Sequence, residues 1–120
     1  MPIAKVNGQL IYFADSGGNH PAVIFAHGFF MDHTMFDAQV EILSKRFRCI
    51  AWDQRGFGKT AAPGPFSYWD SAQDAAALLD YLQIDQAVFV GMSQGGFLSL
   101  RAALSCKERV RGVVLIGSEA

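Results

Sequence analysis

The chain has 120 residues, of which 51% are apolar and 18% are charged, and its formal net charge is −1. This length suits one compact domain over residues 1–120, and the composition excludes a disordered chain. A net charge so close to zero gives no reason to expect nucleic acid or an anionic membrane surface as a partner.

Hydrophobic periodicity predicts an initial hairpin followed by alternating strands and helices. The predicted elements, in chain order, are strands over 3–6, 9–14 and 21–26, a helix over 32–45, a strand over 47–52, a helix over 70–82, a strand over 87–90, a helix over 97–104 and a strand over 110–117. The first two strands flank Asn7-Gly8, a pair that favours a type I′ turn. The later strands are continuous apolar runs, typical of a sheet covered on both faces. We therefore predict an α/β fold in which an antiparallel hairpin leads into a mostly parallel sheet with flanking helices.

A Gly-x-Ser-x-Gly motif, formed by Gly91, Ser93 and Gly95, follows the predicted strand over 87–90 and precedes a predicted helix. Strand, sharp turn and helix are the context that a nucleophile elbow requires. Such a turn strains the backbone of the serine, and the two glycines remove Cβ atoms that would collide across it. An ordinary Gly/Ser turn would show the same short motif, and only the flanking strand and helix favour a nucleophile.

Two further segments follow predicted strands of the same sheet. His27-Gly28-Phe29 comes directly after residues 21–26, and a Gly-rich loop over 53–58 comes after residues 47–52. Sites in open parallel sheets lie beyond the carboxyl ends of the strands, so we expect both segments to share one rim with Ser93. Within the loop, we expect Asp53 and Arg55 to fix its shape as a hydrogen-bonded charge pair.

These three motifs, in this order, resemble the α/β-hydrolase superfamily, and in particular its esterase, enol-lactonase and cofactor-free haloperoxidase-like branch. The resemblance implies a truncated hydrolase core that ends after strand six, without a cap domain or the C-terminal strands. It implies that Ser93 attacks an acyl carbon and that the backbone N–H groups of Phe29 and Gln94 form the oxyanion hole. Their side chains are expected to be poorly constrained. His27, Gly28, Gly91 and Gly95 would support this geometry, and His27 would orient the oxyanion loop rather than act as a base.

The triad order in this family is serine, then an acid, then histidine. After Ser93 the sequence contains no Asp and no His, and its only carboxylates there are Glu108 and Glu119. Glu119, just past the last predicted strand, is a candidate acid, although a residue so near a terminus is usually frayed. His33, at the start of the first predicted helix, is a candidate base, and an ordinary structural histidine is the alternative.

The function therefore remains open between two classes. One is a serine hydrolase acting on a small carboxylic ester or lactone, with C–C bond hydrolysis or perhydrolysis as variants that the same elbow supports. The other is a non-catalytic truncated core that self-assembles and in which Ser93 is a relic. The last predicted strand would form an apolar edge, so we expect a homodimer through that strand or a complementary chain that carries the C-terminal half.

No ligand cluster, dinucleotide fingerprint or phosphate loop in the sequence indicates a metal or another cofactor, and we expect none. Cys49 and Cys106 do not form the pattern of a disulfide framework, so we expect reduced thiols. No apolar run resembles a signal peptide or a membrane span. These features together predict a cytoplasmic protein.

Overall fold

The computed structural model describes residues 2–118, which form one six-stranded sheet with helices on both faces. The strands are β1 (Ile3–Val6), β2 (Gln9–Asp15), β3 (Ala22–Ala26), β4 (Arg48–Trp52), β5 (Ala87–Met92) and β6 (Val110–Ile116). The helices are α1 (Asp37–Leu43), α2 (Tyr68–Tyr81) and α3 (Gln94–Ser105), and single 3-10 turns cover His33–Phe36 and Lys107–Arg109. The strand order is β1-β2-β4-β3-β5-β6. The predicted α/β fold class is confirmed.

The hairpin and the parallel strands form as the sequence predicts. Asn7 and Gly8 have φ values of 52° and 69°, the two positive values that a type I′ turn needs. β2 then pairs antiparallel with β4, whereas β4, β3, β5 and β6 run parallel to one another. The antiparallel part is therefore confined to the first two strands.

The strand order reverses at β3: β4 lies on one side of it, and the next strand of the chain, β5, lies on the other side. Ala26, the last residue of β3, is level with Trp52 of β4 and with Gly91 of β5. The carboxyl ends of the three strands thus reach the same rim. A crevice at such a switch point is where open α/β sheets bind their ligands.

Two apolar layers hold the helices to the sheet because successive strand residues point to opposite faces. On one face α2 and α3 contribute Ala72, Ala75, Leu78, Leu79, Leu98 and Ala102 to a core that includes Ile24 and Trp52. On the other face α1 and the turn before it pack Phe36, Val40 and Leu43 against Val23 and Phe25. The sheet is therefore the middle layer of three.

The helix boundaries differ from the prediction at their ends. The predicted helix over 32–45 is a 3-10 turn capped by Asp32, followed by the short α1. α2 begins two residues earlier than predicted because Ser67 and Asp70 form a capping box. α3 begins directly after Ser93, so the motif serine lies at the helix N-terminus.

Candidate active site

Ser93 is held in a strained backbone conformation where β5 meets α3. Its φ of 54° and ψ of −115° are values that residues with a side chain rarely adopt. Its N–H donates to the carbonyl of Ile116 at 2.9 Å, and its carbonyl accepts from the Gly96 N–H at 2.9 Å and from the Ser118 hydroxyl at 2.8 Å. These bonds from β6, α3 and the segment after β6 fix the conformation of the turn.

Gly91 and Gly95 allow the strand and the helix to approach each other at this turn. A Cβ on Gly91 would overlap the backbone carbonyl of Gly95, across the bend. A Cβ on Gly95 would overlap the carbonyl of Ala26 at the end of β3. Gly95 is thus required by the neighbouring strand as well as by the turn, because the helix begins in contact with the switch point.

The N-terminus of α3 supplies unpaired backbone donors beside Ser93. Gln94 is the first residue of the helix, and an N–H in that position has no carbonyl acceptor within the helix. The 12-residue helix also directs the positive end of its dipole toward this point. Both features favour a negative charge near Ser93.

His27 is fully buried at the end of β3 and fixes the loop that follows. Its Nδ1 lies 2.9 Å from the carbonyl of Gly28, so Nδ1–H donates, and its Nε2 accepts from the backbone N–H of Gln54 at 3.0 Å. Burial lowers the pKa of the His27 imidazole below its ordinary value, which favours this neutral form. With both nitrogens engaged, the ring has no free position for proton transfer.

The bond from His27 also determines where the next amide points. The carbonyl of Gly28 accepts from the His27 ring and from the N–H of Met31 at 3.1 Å. In a planar trans peptide the C=O and the following N–H point in opposite directions. Fixing the Gly28 carbonyl therefore fixes the N–H of Phe29.

A chain of buried glutamine side chains connects this loop to the elbow. Gln54 donates through Nε2 to the carbonyl of His27 at 2.6 Å, and Gln94 donates to Gln54 Oε1 at 3.0 Å. The Tyr68 hydroxyl completes the chain with a 3.4 Å contact to Gln94 Oε1. The expectation that the Gln94 side chain is poorly constrained is wrong, because burial obliges its amide to find partners.

Sequence reasoning did not identify Gln54 or Tyr68 as part of the site. Gln54 lies two residues beyond β4, at the rim where the parallel strands end, and that position was the available signal. Tyr68 is the first residue of α2, far from the rim motifs in sequence. Only the packing of α2 against α3 brings it to Gln94.

Phe29 presents its ring to the outside of the rim, where it is 55% exposed. Its ring centroid is 5.3 Å from that of Phe57, which in turn is 5.6 Å from the His27 ring. An aromatic cleft of about 410 Å³ extends from Phe29 and Gln94 along the start of α2. Apolar substrate groups would fit such a lining.

Asp53 and Arg55 do not pair with each other as the sequence suggested. Asp53 is buried and accepts from the N–H groups of His33 at 2.8 Å and Lys59 at 3.0 Å. Arg55 instead makes two bonds, of 2.9 and 2.8 Å, to Asp74 on α2. Asp74 is fully buried and needs a cation, which explains the choice of partner.

His33, the candidate base, lies beside Asp53. Its Nδ1 is 2.8 Å from Asp53 Oδ1, a geometry in which the ring donates to the carboxylate. Together with Asp32 these residues place three potential metal ligands within 4.8 Å of one another. The Asp32 carboxylate, however, already accepts from the N–H and hydroxyl of Thr34, so we assign the cluster to loop structure.

No histidine within residues 2–118 hydrogen-bonds the Ser93 hydroxyl. His27 and His33 have the partners given above. His20 is exposed and precedes β3, at the end of the strand opposite to the rim. Glu119, the candidate acid, lies outside the described residues. Cys49 and Cys106 are free thiols, and burial raises the pKa of both, which disfavours the thiolate form. None of the helices in the described part is long and apolar enough to cross a membrane.

The sheet is mostly parallel and has a switch point at β3, and Ser93 lies at the sharp turn between β5 and α3. These features are typical of α/β proteins that carry a nucleophile elbow. The chain belongs to the α/β hydrolase fold family, whose model matches residues 21–120. The predicted resemblance is thereby confirmed.

Individual relatives support the same assignment. The chain is 32% identical to 3-oxoadipate enol-lactonase 2 of Acinetobacter baylyi over 92% of this chain and 42% of that protein. It is 33% identical to haloalkane dehalogenase 2 of Mycobacterium tuberculosis over 88% of this chain and 37% of that protein. A thermophilic esterase from Thermogutta terrifontis superimposes with a TM-score of 0.93 at 33% identity, covering 100% of this chain and 47% of the esterase. The chain thus spans less than half the length of each.

Proposed function

We propose that this chain carries the nucleophile and oxyanion-hole half of a serine hydrolase that acts on a small carboxylic ester or lactone. The observation that carries the proposal is the strained Ser93, fixed between β5 and the N-terminus of α3 at the switch point of the sheet. A strained residue persists only where its surroundings over-determine its conformation, as the hydrogen bonds to the Ile116 carbonyl and from the Ser118 hydroxyl do for Ser93.

In the proposed reaction Ser93 Oγ forms a bond to the acyl carbon and releases its proton to a base. The carbonyl oxygen becomes an oxyanion, which the N–H groups of Phe29 and Gln94 stabilise, each by about 3 kcal/mol. Collapse of this intermediate breaks the bond to the alkoxide, which takes up the proton from the base. Water then attacks the acyl-enzyme by the same route, releases the carboxylic acid and restores Ser93.

The hydrogen-bond chain through His27, Gln54 and Gln94 would hold the two donors in register. His27 fixes the Phe29 amide through the Gly28 carbonyl, and Gln54 links that loop to the first residue of α3. Donors that are fixed before the reaction cost no reorganisation when the charge develops. In this proposal His27 is a positioning residue.

The base and the acid would come from polypeptide outside residues 2–118, from a second copy or from a complementary chain with the C-terminal half of the fold. β6 pairs only with β5 among the described strands, and Val114 and Ile116 remain 47% and 45% exposed. Such an apolar edge invites pairing. Loss of a triad base costs on the order of a millionfold in turnover, so a monomer without one would be nearly inert.

One observation favours a non-catalytic alternative. Because no described histidine hydrogen-bonds Ser93, the chain could persist as an assembly module whose elbow no longer reacts. C–C bond hydrolysis and perhydrolysis use the same elbow and are further alternatives. The dehalogenase relative, at an identity similar to that of the enol-lactonase, shows that the family resemblance alone does not select the substrate.

Labelling with a fluorophosphonate, read by intact mass, tests the proposal without a known substrate. Rapid addition of one label that disappears in Ser93→Ala and persists in Ser105→Ala, an exposed serine on α3, would support it. Because a monomer without a base would be nearly inert, the deciding sample is the assembled protein. No addition to the self-associated chain, or to the chain mixed with a complementary C-terminal half, would overturn the proposal and favour the non-catalytic alternative.

Light scattering tests the partner. A two-fold dimer that dissociates in Val114→Lys, on the exposed edge strand, would support pairing through β6. A monodisperse monomer would reject the homodimer.

A further inference from the structure

One arginine differs from the other half-buried arginines of the described chain. Three of them pair with an aspartate: Arg48 with Asp15, Arg55 with Asp74 and Arg109 with Asp80. The fourth, Arg101 on α3, has no carboxylate within 4 Å among residues 2–118. Its Nε is buried without a hydrogen-bond partner there, and its Nη1 donates only to the Phe97 carbonyl at 3.0 Å. A desolvated guanidinium with unused donors is costly unless an anion completes it.

Two aromatic rings hold the Arg101 guanidinium in place. Its central carbon lies 5.5 Å from the centroid of the Tyr68 ring and 5.4 Å from that of Trp69. Cation–π contacts of this kind fix a planar guanidinium while leaving its N–H edges free. Arg101 is therefore positioned before any ligand binds.

Arg101 lines the aromatic cleft that reaches Phe29 and Gln94, and it also borders a neighbouring apolar cavity of about 700 Å³ along α3. Arg101 is the only charged side chain that lines this cleft in the described part of the chain. Tyr68 connects the two ends, because its hydroxyl contacts Gln94 while its ring packs against Arg101. The cleft thus has the two proposed oxyanion donors at one end and a cation at the other.

The separation of the two ends limits the size of the ligand. Gln94 and Arg101 are seven residues apart, two helical turns on one face, or about 10 Å along the axis. Helical side chains lean toward the N-terminus, so the long Arg101 side chain extends back toward Gln94. A group bound by Arg101 would lie a few bonds from a carbonyl held at Phe29 and Gln94.

We propose that Arg101 binds a carboxylate of the substrate, and that the preferred substrates are esters or lactones carrying a second, anionic carboxylate. This inference rests on the proposed function, since it names the substrate class of the same site. Arg101 would act as a specificity residue, because its planar guanidinium can donate two parallel hydrogen bonds to a carboxylate.

Binding to the Ser93→Ala chain tests this proposal without turnover. The ligands are monomethyl glutarate and its neutral counterpart dimethyl glutarate, titrated against the tryptophan fluorescence of the chain, in which Trp69 lines the cleft and Trp52 is buried in the core. We expect the anionic ester to bind about tenfold more tightly, as a charge-assisted hydrogen bond would give, and the ratio to fall to about one when Arg101→Gln is added. Arg101→Lys, which keeps the charge but not the fork, should give an intermediate ratio. Arg111→Gln removes the same charge from an exposed site on β6 and should leave the ratio unchanged.

Equal affinities for the two esters, no binding of either, or a preference that survives Arg101→Gln would overturn the proposal. A preference lost equally in Arg111→Gln would also overturn it, since general charge would then explain the effect. Fluorophosphonate labelling of the assembled wild-type protein, self-associated or mixed with the complementary half, reports separately on the proposed function. Labelling without an anion preference would reject only the role of Arg101, whereas an anion preference without labelling would reject only the hydrolase.

Discussion

The crevice between β3 and β5 differs from the edge formed by β6 in how many of its groups have partners within the described chain. At the crevice the buried polar groups of His27, Gln54 and Gln94 bond one another. At the edge, Val114 and Ile116 are almost half exposed, and the outer side of β6 has no strand beside it in the described sheet. The buried polar groups beside Ser93 therefore find their partners within the described chain, whereas the outer side of β6 does not.

This difference separates the part of the proposed site that the described chain contains from the part that it does not. The proposed oxyanion donors are held by backbone groups and side chains within residues 26–96, and the hydrogen bonds between them are internal. No described histidine or carboxylate hydrogen-bonds the Ser93 hydroxyl, so the proposed base and acid would come from additional polypeptide. A substitution in the crevice should therefore lower the stability of the chain more than a similar substitution at the β6 edge. Four measurements test the crevice and its controls.

The largest effect is expected from one substitution made in both regions. In Gly95→Ala the added methyl group would overlap the carbonyl of Ala26, and we expect a loss of about 3 kcal/mol in the free energy of unfolding. Gly112→Ala on β6 is the control, because no atom lies within 4 Å of its added Cβ. Urea denaturation measures both. Similar losses in the two variants would show that the crevice is not the more tightly constrained region.

Removal of Gln54 tests the hydrogen-bond chain. Gln54→Ala removes the side-chain donor to the His27 carbonyl and the acceptor of the Gln94 Nε2–H group, and we expect a loss of about 2 kcal/mol in stability. Fluorophosphonate labelling should slow as well, because the two donors lose their connection. Gln86→Ala, which removes an exposed amide bonded to the Glu108 carbonyl, should change neither value. Unchanged stability in Gln54→Ala would contradict the proposed support.

The buried neutral His27 should make stability depend on pH. The pKa of His27 is lowered in the folded chain, so the unfolded chain binds a proton first as the pH falls below about 6.5. Its contribution to stability is complete above that pH and decreases below it by about 1.4 kcal/mol per pH unit, until the folded ring is protonated. Urea titrations between pH 7 and 5 should show a smaller slope for His27→Asn than for the wild type. His20→Asn, at an exposed histidine, should keep the wild-type slope, and a wild-type slope in His27→Asn would argue against this origin.

The smallest effect concerns the strain at Ser93. Glycine adopts a φ of 54° with a ψ of −115° more readily than residues with a Cβ, so Ser93→Gly should be about 1 kcal/mol more stable than Ser93→Ala. Both variants lose the hydroxyl, so the comparison isolates the backbone. Thermal unfolding measures the difference. Equal stabilities would mean that the turn stores no strain.

Particular residues show how far the sequence predicts this site. The Gly91, Ser93 and Gly95 motif, the His27-Gly28-Phe29 segment and the strand pattern predicted an elbow and a loop on one rim, because local spacing and the parallel-sheet rule suffice for that. The partners of Asp53 and Arg55 were not predictable, since they depend on His33 and on Asp74 of α2. The connections through Gln54, Tyr68 and Arg101 were missed for the same reason: each joins elements that are distant in the sequence.

The sequence by itself determined the α/β class, the order of strands and helices and the position of the serine between β5 and α3. These features follow from apolar periodicity and from glycines whose spacing permits a tight turn. Tertiary structure alone decided which buried polar groups bond one another and which half-buried arginine of the described chain lacks a carboxylate. The physical reason is that a buried polar group must find a partner in three dimensions, and the chain separation between partners, 40 residues for Gln54 and Gln94, leaves no local signal.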